Sequence, residues 1–181
     1  MTHSYALPGD AQGEAQLHQM LRVDHAGEYG AKRIYAGQMA VLKNHPSRHE
    51  IAHMAQQEQV HLDAFNRLLA ERRVRPSALL PFWHVAGYAL GAGTALLGSR
   101  AAMACTVAVE SVISEHYAKQ IAALPDTESA LASTLEQFKA EEEEHHATGL
   151  AHDAEKAPAY EALSAAIRLG CKLAIKLAEK I

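Results

Sequence analysis

The chain has 181 residues, 49% hydrophobic but only 6% aromatic, with a formal net charge of -4 from 17 basic and 21 acidic residues. This length holds one domain with a sizeable core, no composition break marks a second, and abundant Ala and Leu favour helices over strands. A nucleic-acid footprint and a disulfide framework are both excluded. The acidic run Glu141 to Glu144 offsets the cluster Arg72, Arg73 and Arg75, and Cys105 and Cys171 stand far apart, as small buried hydrophobes of a reducing compartment do.

Residues 1–12 contain Pro8 and Gly9 and read as a flexible leader. They lack the basic start and apolar run of a secretory signal and the Arg-rich pattern of an organellar presequence, so the chain is expected in the cytosol or already processed. Helix 1 is predicted from Gln12 to Lys43, stopping at Asn44-His45-Pro46. Ser47 and Glu50 match a capping box that opens helix 2, which runs to Arg72. Pro76 and Pro81 interrupt the chain, and Leu79 to Leu97 is an apolar stretch broken by Gly87, Gly91 and Gly93. Ser99 is the predicted cap of a helix ending at Leu124-Pro125-Asp126. Asp126 or Thr127 starts the next, which lasts to Glu155, and Pro158 in a first turn opens the last helix.

Phase then selects the residues that face the core. The stripe Ile51, Met54, Glu58, His61, Phe65, Leu68 keeps helical spacing throughout, and Leu131, Leu135, Phe138, Glu142, His145 repeats it. Helix 1 presents Leu17, Leu21, Asp24, Glu28, Ala31, Tyr35, Met39 and Leu42 on one face. Its later counterpart presents Met103, Thr106, Glu110, Ile113, Tyr117, Ile121 and Leu124. Glu28 precedes Glu58 by 30 residues and Glu110 precedes Glu142 by 32, so a helix pair donating Glu and then Glu-x-x-His is used twice.

About one Glu-x-x-His match is expected by chance in such a composition. Four occur. Glu50 with His53 and Glu143 with His146 fall on polar flanks, whereas Glu58 with His61 and Glu142 with His145 lie in apolar phase, each with a lone core Glu upstream. Ionised carboxylates buried without partners cost several kcal/mol each. Two divalent ions would neutralise the four glutamates. Oxygen ligands with one imidazole per ion suit Fe or Mn with open positions better than a closed Zn site, and open positions on two irons invite O2. Asp24 is the candidate acceptor for orienting an imidazole, and His116 and Tyr117 are candidates for donors or substrate contacts.

The predicted fold is all-α: a ferritin-like four-helix bundle with a di-iron centre, joined by one long crossover. Two additional membrane-facing helices, the crossover segment and the C-terminal helix, complete a single domain over residues 1–181.

With these residues in hand, the chain resembles the di-iron 5-demethoxyubiquinone hydroxylases of ubiquinone biosynthesis. The resemblance rests on Arg-Val-Asp-His-Ala-Gly-Glu-Tyr-Gly-Ala (22–31), Ile-Tyr-Ala-Gly-Gln-Met-Ala (34–40), Arg-Val-Arg-Pro (73–76) and Leu-Gly-Ala-Gly-Thr-Ala-Leu-Leu-Gly (90–98). Ala-Met-Ala-Cys-Thr-Val-Ala-Val-Glu (102–110), Glu-His-His (144–146) and His-Asp-Ala-Glu-Lys-Ala-Pro-Ala-Tyr (152–160) extend it over nearly everything from residue 20 onward. It implies metal ligands at Glu28, Glu58, His61, Glu110, Glu142 and His145, and a catalytic pair at His116 and Tyr117. It further implies two Fe ions cycling between Fe2+ and Fe3+, O2 as co-substrate, and hydroxylation of a polyprenyl 5-demethoxyquinone ring to give the 3-demethylubiquinone. NADH is the expected external electron donor, its electrons passing through the quinone. Gly91-x-Gly93 lacks the third glycine and the upstream strand of a dinucleotide site.

A lipid substrate agrees with the rest of the chain. Leu79 to Leu97 follows a basic cluster and is marginal in length for a membrane span, which suits a re-entrant or surface-lying helix. Arg168, Lys172, Lys176 and Lys180 flank Leu163, Ile167, Leu173 and Leu177, a pattern suited to anionic lipid. The expected place is the cell membrane, peripheral on the cytoplasmic face. A polyprenyl quinone, a lipid-binding protein or quinone-synthesis complex, and a further copy of the chain in a homo-oligomer are the expected partners, with no nucleic acid. Two other classes stay open. A ferritin- or rubrerythrin-like protein handling iron or peroxide uses the same ligands, and a scaffold of a quinone-synthesis complex uses the same lipid-facing helices.

Overall fold

The computed structural model describes residues 13–180, and the expected leader at residues 1–12 lies outside them. The described residues form six α-helices: α1 (Glu14–Val41), α2 (Arg48–Glu71), α3 (Leu80–Leu96), α4 (Ser99–Ala123), α5 (Ser129–Ala151) and α6 (Tyr160–Ala178). Short 3-10 turns at Asp126–Glu128 and Ala154–Lys156 flank α5, and no strand occurs among the described residues. Helix α1 packs on α2, α2 on α5, α5 on α4 and α4 on α1, closing a ring. The crossover helix α3 lies on α1 and α4, and α6 lies on α4 and α1.

The termini show where local chemistry departs from the expected signals. Ser47 makes no side-chain cap and has helical dihedrals, while its N–H is taken by His45 Nδ1 at 3.1 Å, so the Ser47/Glu50 capping box does not form. Nor does Ser99 cap α4; it is the first helical residue, and Gly98 at φ 111° makes the two-residue turn from α3, a dihedral that side chains rarely adopt. Helix α5 stops at Ala151, short of Glu155. The His152 ring donates from Nδ1 to the Thr148 carbonyl at 2.9 Å, and Asp153 turns left-handed at φ 62°. Pro158 precedes α6 by two residues, and Ala159 at φ 50° is its N-cap. Helix α2 closes as a Schellman motif, with Val74 N–H on the Leu69 carbonyl at 2.8 Å, Arg73 N–H on Ala70, and Arg73 left-handed at φ 56°. Arg72 forks onto Glu128 at 2.9 and 2.5 Å, tying the end of α2 to the turn before α5, so it does not join Arg73 and Arg75 in an exposed basic cluster.

Two apolar clusters hold the ring at opposite ends. One contains Tyr35, Leu42, Ile51, Met54, Met103 and Val107. The other contains Leu21, Phe65, Leu69, Tyr117, Leu135 and Phe138. Burial of such side chains supplies about 1.5–3 kcal/mol each. The expected stripes on α1, α2, α4 and α5 face these clusters, with Leu17, Met39, Leu68, Ile113, Ile121 and Leu124 at their half-buried margins.

Helix α3 approaches α1 by backbone contact. A Cβ on Gly91 would overlap the Ile34 carbonyl, and one on Gly37 would overlap the Tyr88 carbonyl. Gly93, on the outer side of the same helix, has open space around it. We therefore expect Gly91→Leu to lower unfolding free energy by about 1–3 kcal/mol through forced separation of the two helices. Gly93→Ala should raise it by about 0.5–1 kcal/mol. Urea or thermal unfolding of the two variants measures both, and equal effects would refute the close-contact account.

Candidate metal centre

Each helix of the ring sends carboxylate or imidazole inward. Glu28 comes from α1, Glu58 and His61 from α2, Glu110 from α4, and Glu142 and His145 from α5; all six are at most 1% exposed. They form two groups with potential ligand atoms within 4.8 Å of one another: Glu28, Glu58, His61, Glu142, and Glu58, Glu110, Glu142, His145. Glu58 and Glu142 belong to both. Glu50 and Glu143, the competing registers, turn away: Glu143 is exposed and binds Lys139 at 2.5 Å, and Glu50 meets His49 at 3.3 Å.

Both imidazoles present Nδ1 to the cluster. His61 Nδ1 lies 3.2 Å from Glu28 and 3.2 Å from Glu142, and His145 Nδ1 lies 3.0 Å from Glu142 and 3.3 Å from Glu58. Their Nε2 atoms face outward and are crossed between halves. His61 Nε2 meets Glu141 Oε2 at 2.6 Å, and His145 Nε2 meets Gln57 Oε1 at 3.0 Å. The tyrosines are crossed as well. Tyr35 of α1 donates to Glu110 of α4 at 2.6 Å, and Tyr117 of α4 donates to Glu28 of α1. Burial and the carboxylate charges push both phenols well above their ordinary range, so each remains a donor.

The sequence reading placed Tyr35 on the core face and Glu141 in the acidic run but assigned neither these two nor Gln57 a contact with the cluster, although a signal existed. Tyr35 follows Glu28 by seven residues, as Tyr117 follows Glu110, and Gln57 precedes Glu58 as Glu141 precedes Glu142. Asp24 does not orient a cluster imidazole. It is buried, accepts from Gln120 Nε2 at 2.7 Å, and stands 3.5 Å from His116 Nε2. His116 itself is partly exposed on a polar recess of about 240 Å³ with Gln16, Gln19 and Lys119, one layer out from the six residues. Tyr117, by contrast, touches the cluster directly.

The charges show how strongly the six residues act on one another. Burial first, and then the neighbouring carboxylates, hold Glu58 and Glu110 well above the ordinary carboxylate range; burial also raises Glu28. Burial would raise Glu142 too, but hydrogen bonds from His145 and His61 together hold it down at about 2. Burial opposes the His61 cation, yet Glu142 and Glu28 together raise it to about 11. Neither Glu58 oxygen has a hydrogen-bond partner, nor has Glu110 Oε2. Buried, unpartnered carboxylate oxygens facing inward Nδ1 atoms are the donor set that a pair of divalent cations requires.

A family described as Ubiquinone biosynthesis protein COQ7 matches residues 15–178. The chain is 53% identical over 182 residues to the NADPH-dependent 3-demethoxyubiquinone 3-hydroxylase, mitochondrial, of Rattus norvegicus, covering 98% of this chain and 84% of that protein. It is 52% identical to the 3-demethoxyubiquinol 3-hydroxylase of Rhodospirillum rubrum, with 97% of this chain and 83% of that protein covered. With the 5-demethoxyubiquinone hydroxylase, mitochondrial, of Saccharomyces cerevisiae it shares 43% identity, over 95% of this chain and 81% of that protein.

The pH dependence of the metal-free fold has a definite sign. Glu28, Glu58 and Glu110, raised on folding, stabilise below their ordinary value of 4.5 and lose that contribution as pH climbs through the raised values. His61 stabilises below 6.5 and loses its contribution as pH rises through about 11. Glu142 acts oppositely, its contribution lasting above 4.5 and vanishing as pH falls toward 2. In chelator the thermal midpoint should therefore fall between about pH 6.5 and 9, and metal loading should flatten or reverse that slope. A metal-free midpoint that rises across this window would contradict the account.

Proposed function

This chain belongs to the Ubiquinone biosynthesis protein COQ7 family, and we propose that it is a di-iron monooxygenase acting on a polyprenyl 5-demethoxyquinone. The ring of a 2-methoxy-6-polyprenyl-3-methylbenzoquinone would be hydroxylated with O2 to the 3-demethylubiquinone. The observation that carries this reading is the sharing of Glu58 and Glu142 between two four-residue groups, which suits two ions rather than one. Glu28 and His61 would hold one Fe, Glu110 and His145 the other, in a ferritin-like bundle that forms one domain with the additional helices. When bound, the pair supplies O2 activation.

The residues of the chain do the rest. Tyr117 and Tyr35 hold one oxygen each of Glu28 and Glu110, leaving Glu110 Oε2 without a partner and Glu28 Oε2 facing His61 Nδ1. The two apolar clusters exclude water from both ends. His116, beside Asp24, lines a solvent-facing polar recess one layer out from the centre and is the proposed companion of Tyr117. An apolar cavity of about 470 Å³ between α1, α3, α4 and α6 is lined by Ala31, Ile34, Leu90, Val109, Ile113 and Ile167. Its wall includes Gly27 and Val109, the chain neighbours of Glu28 and Glu110, so an isoprenoid tail held there would carry a quinone ring to the centre. Ring hydroxylation by O2 needs two further electrons. A reduced nicotinamide, NADH or the NADPH of the mammalian relatives, is the proposed external source.

The outer surface suits membrane docking. Phe82, Val85, Leu96 and Leu97 of the α3 region are exposed, as are Leu169, Leu173 and Leu177 of α6. The α6 face is divided: Ile167 is buried and Leu163 half-buried against the bundle, while Leu173 and Leu177 project outward beside Lys172, Lys176 and Lys180. No helix among the described residues is long and apolar enough to cross a membrane. Peripheral binding to anionic lipid on the cytoplasmic face is the corresponding proposal. A homo-oligomer, and delivery of quinone by a lipid-binding protein or quinone-synthesis complex, fit the same face.

Anaerobic reconstitution should give about two Fe per chain, and mass spectrometry should then detect a ring-hydroxylated quinone that requires O2 and reductant. Fewer than about one Fe per chain would sink the enzyme reading and the iron-storage one together. Iron uptake without quinone product would favour the ferritin class. Glu142→Ala should abolish product while Glu143→Ala retains it, and the reverse pattern would overturn the ligand assignment. Liposomes containing anionic lipid should float the protein at low salt and release it at high salt. Absence of binding at low salt would remove the membrane proposal.

A further inference from the structure

Resting on the reading that two metal ions occupy this centre, we infer that the two positions are unequal. The ion at Glu28 and His61 binds more tightly and enters first, because the Glu141 carboxylate backs His61 whereas the neutral Gln57 amide backs His145.

The two halves are otherwise closely matched. Glu28 and Glu110 are 82 residues apart, as are Tyr35 and Tyr117, while Glu58 and Glu142, His61 and His145, and Gln57 and Glu141 are each 84 apart. Each lone Glu accepts one tyrosine hydroxyl, each imidazole turns Nδ1 inward, and Glu58 and Glu142 are common to both groups. At the position behind the imidazole the match breaks.

The difference has a direct electronic consequence. With Nδ1 on a metal, the proton resides on Nε2 and is donated outward. A carboxylate acceptor draws that proton more strongly than an amide oxygen and raises the electron density that Nδ1 offers to the metal. The contacts follow this order, 2.6 Å for His61 with Glu141 against 3.0 Å for His145 with Gln57. Glu141 is a quarter exposed on its side chain and accepts from Gln137 Nε2 at 2.9 Å through its other oxygen, which holds the carboxylate in place behind His61. It adds a negative charge to one half that the other lacks. Asp24, the other carboxylate on the Glu28 side, is engaged by Gln120 and lies near His116, with no contact to either imidazole. Glu141 is thus a positioning residue that acts through His61.

Anaerobic titration of the metal-free full chain with Co(II), followed by visible absorption and calorimetry, tests this without turnover. The unmodified chain should bind in two steps of unequal affinity. Glu141→Gln should weaken the tighter step by about 10–100-fold and leave the other in place. Gln57→Glu should tighten the weaker step. In a His145→Ala background Glu141→Gln should still weaken the remaining ion, and in a His61→Ala background it should not. Circular dichroism checks that each variant folds, and the gain expected from Gln57→Glu does not depend on tolerance of a loss. Two equal steps in the unmodified chain, or a Glu141→Gln isotherm weakened in both steps alike, would overturn the inference alone. Absence of any binding would overturn the metal reading and the inference with it.

Discussion

Everything in this structure is organised around the cost of holding four carboxylates in a dry interior. Glu28, Glu58, Glu110 and Glu142 are each at most 1% exposed, and the two imidazoles among them cannot neutralise all four. In an apolar bundle such a layer is a destabilising element, worth several kcal/mol per unpaired charge. The apolar clusters on either side offset that cost, and tyrosines that donate from each cluster hold the lone glutamates in place. The stability of the fold and the affinity of the centre are therefore opposed quantities: the same carboxylates that weaken the metal-free protein are those a cation pair would reward.

Helical phase made the inner layer legible, because a residue three or four positions from Ile51 or Leu135 has no choice of face once the helix forms. That logic picked out the six residues that the structure buries together and set aside Glu50, His53, Glu143 and His146, of which His53 and Glu143 are exposed. Helix boundaries were less legible. Ser47 and Ser99 have the chemistry of caps, but a ring nitrogen of His45 and the dihedral freedom of Gly98 decided those termini instead. Contacts between helices were hardest to read. Gln57 and Glu141 sit on flanks that look solvated along their own helices, and only the approach of α5 to α2 brings each to the opposite imidazole. Asp24 illustrates the converse, since its phase was right while its partners, Gln120 and His116, could not be inferred from α1 alone.

On the proposed function, the crossover helix and α6 would let the ring of inward carboxylates meet a lipid. Small residues let α3 lie directly on the backbone of α1, and Gly27, Gly30 and Gly87 line the apolar cavity beside Ile34 and Leu90. The outward side chains of α3 and α6 then leave a greasy surface beside the lysines of α6. The arrangement separates two tasks. On that reading the inward carboxylates and imidazoles are set in the ring, while access and docking would fall to helices that contribute none of the six.

The crossed tyrosines also bear on how the protein is made. Tyr35 and Glu110 are separated by 75 residues in the chain, and Glu28 and Tyr117 by 89. A nascent chain that has emitted only α1 and α2 holds Glu28, Glu58 and His61 without the hydroxyl that orients Glu28 or the second shared carboxylate. Contacts of such long sequence separation form late in folding. If the centre takes two ions as proposed, its competence would arrive only with the docking of the second half, and a nascent chain would be spared trapping a single ion in a half-built centre.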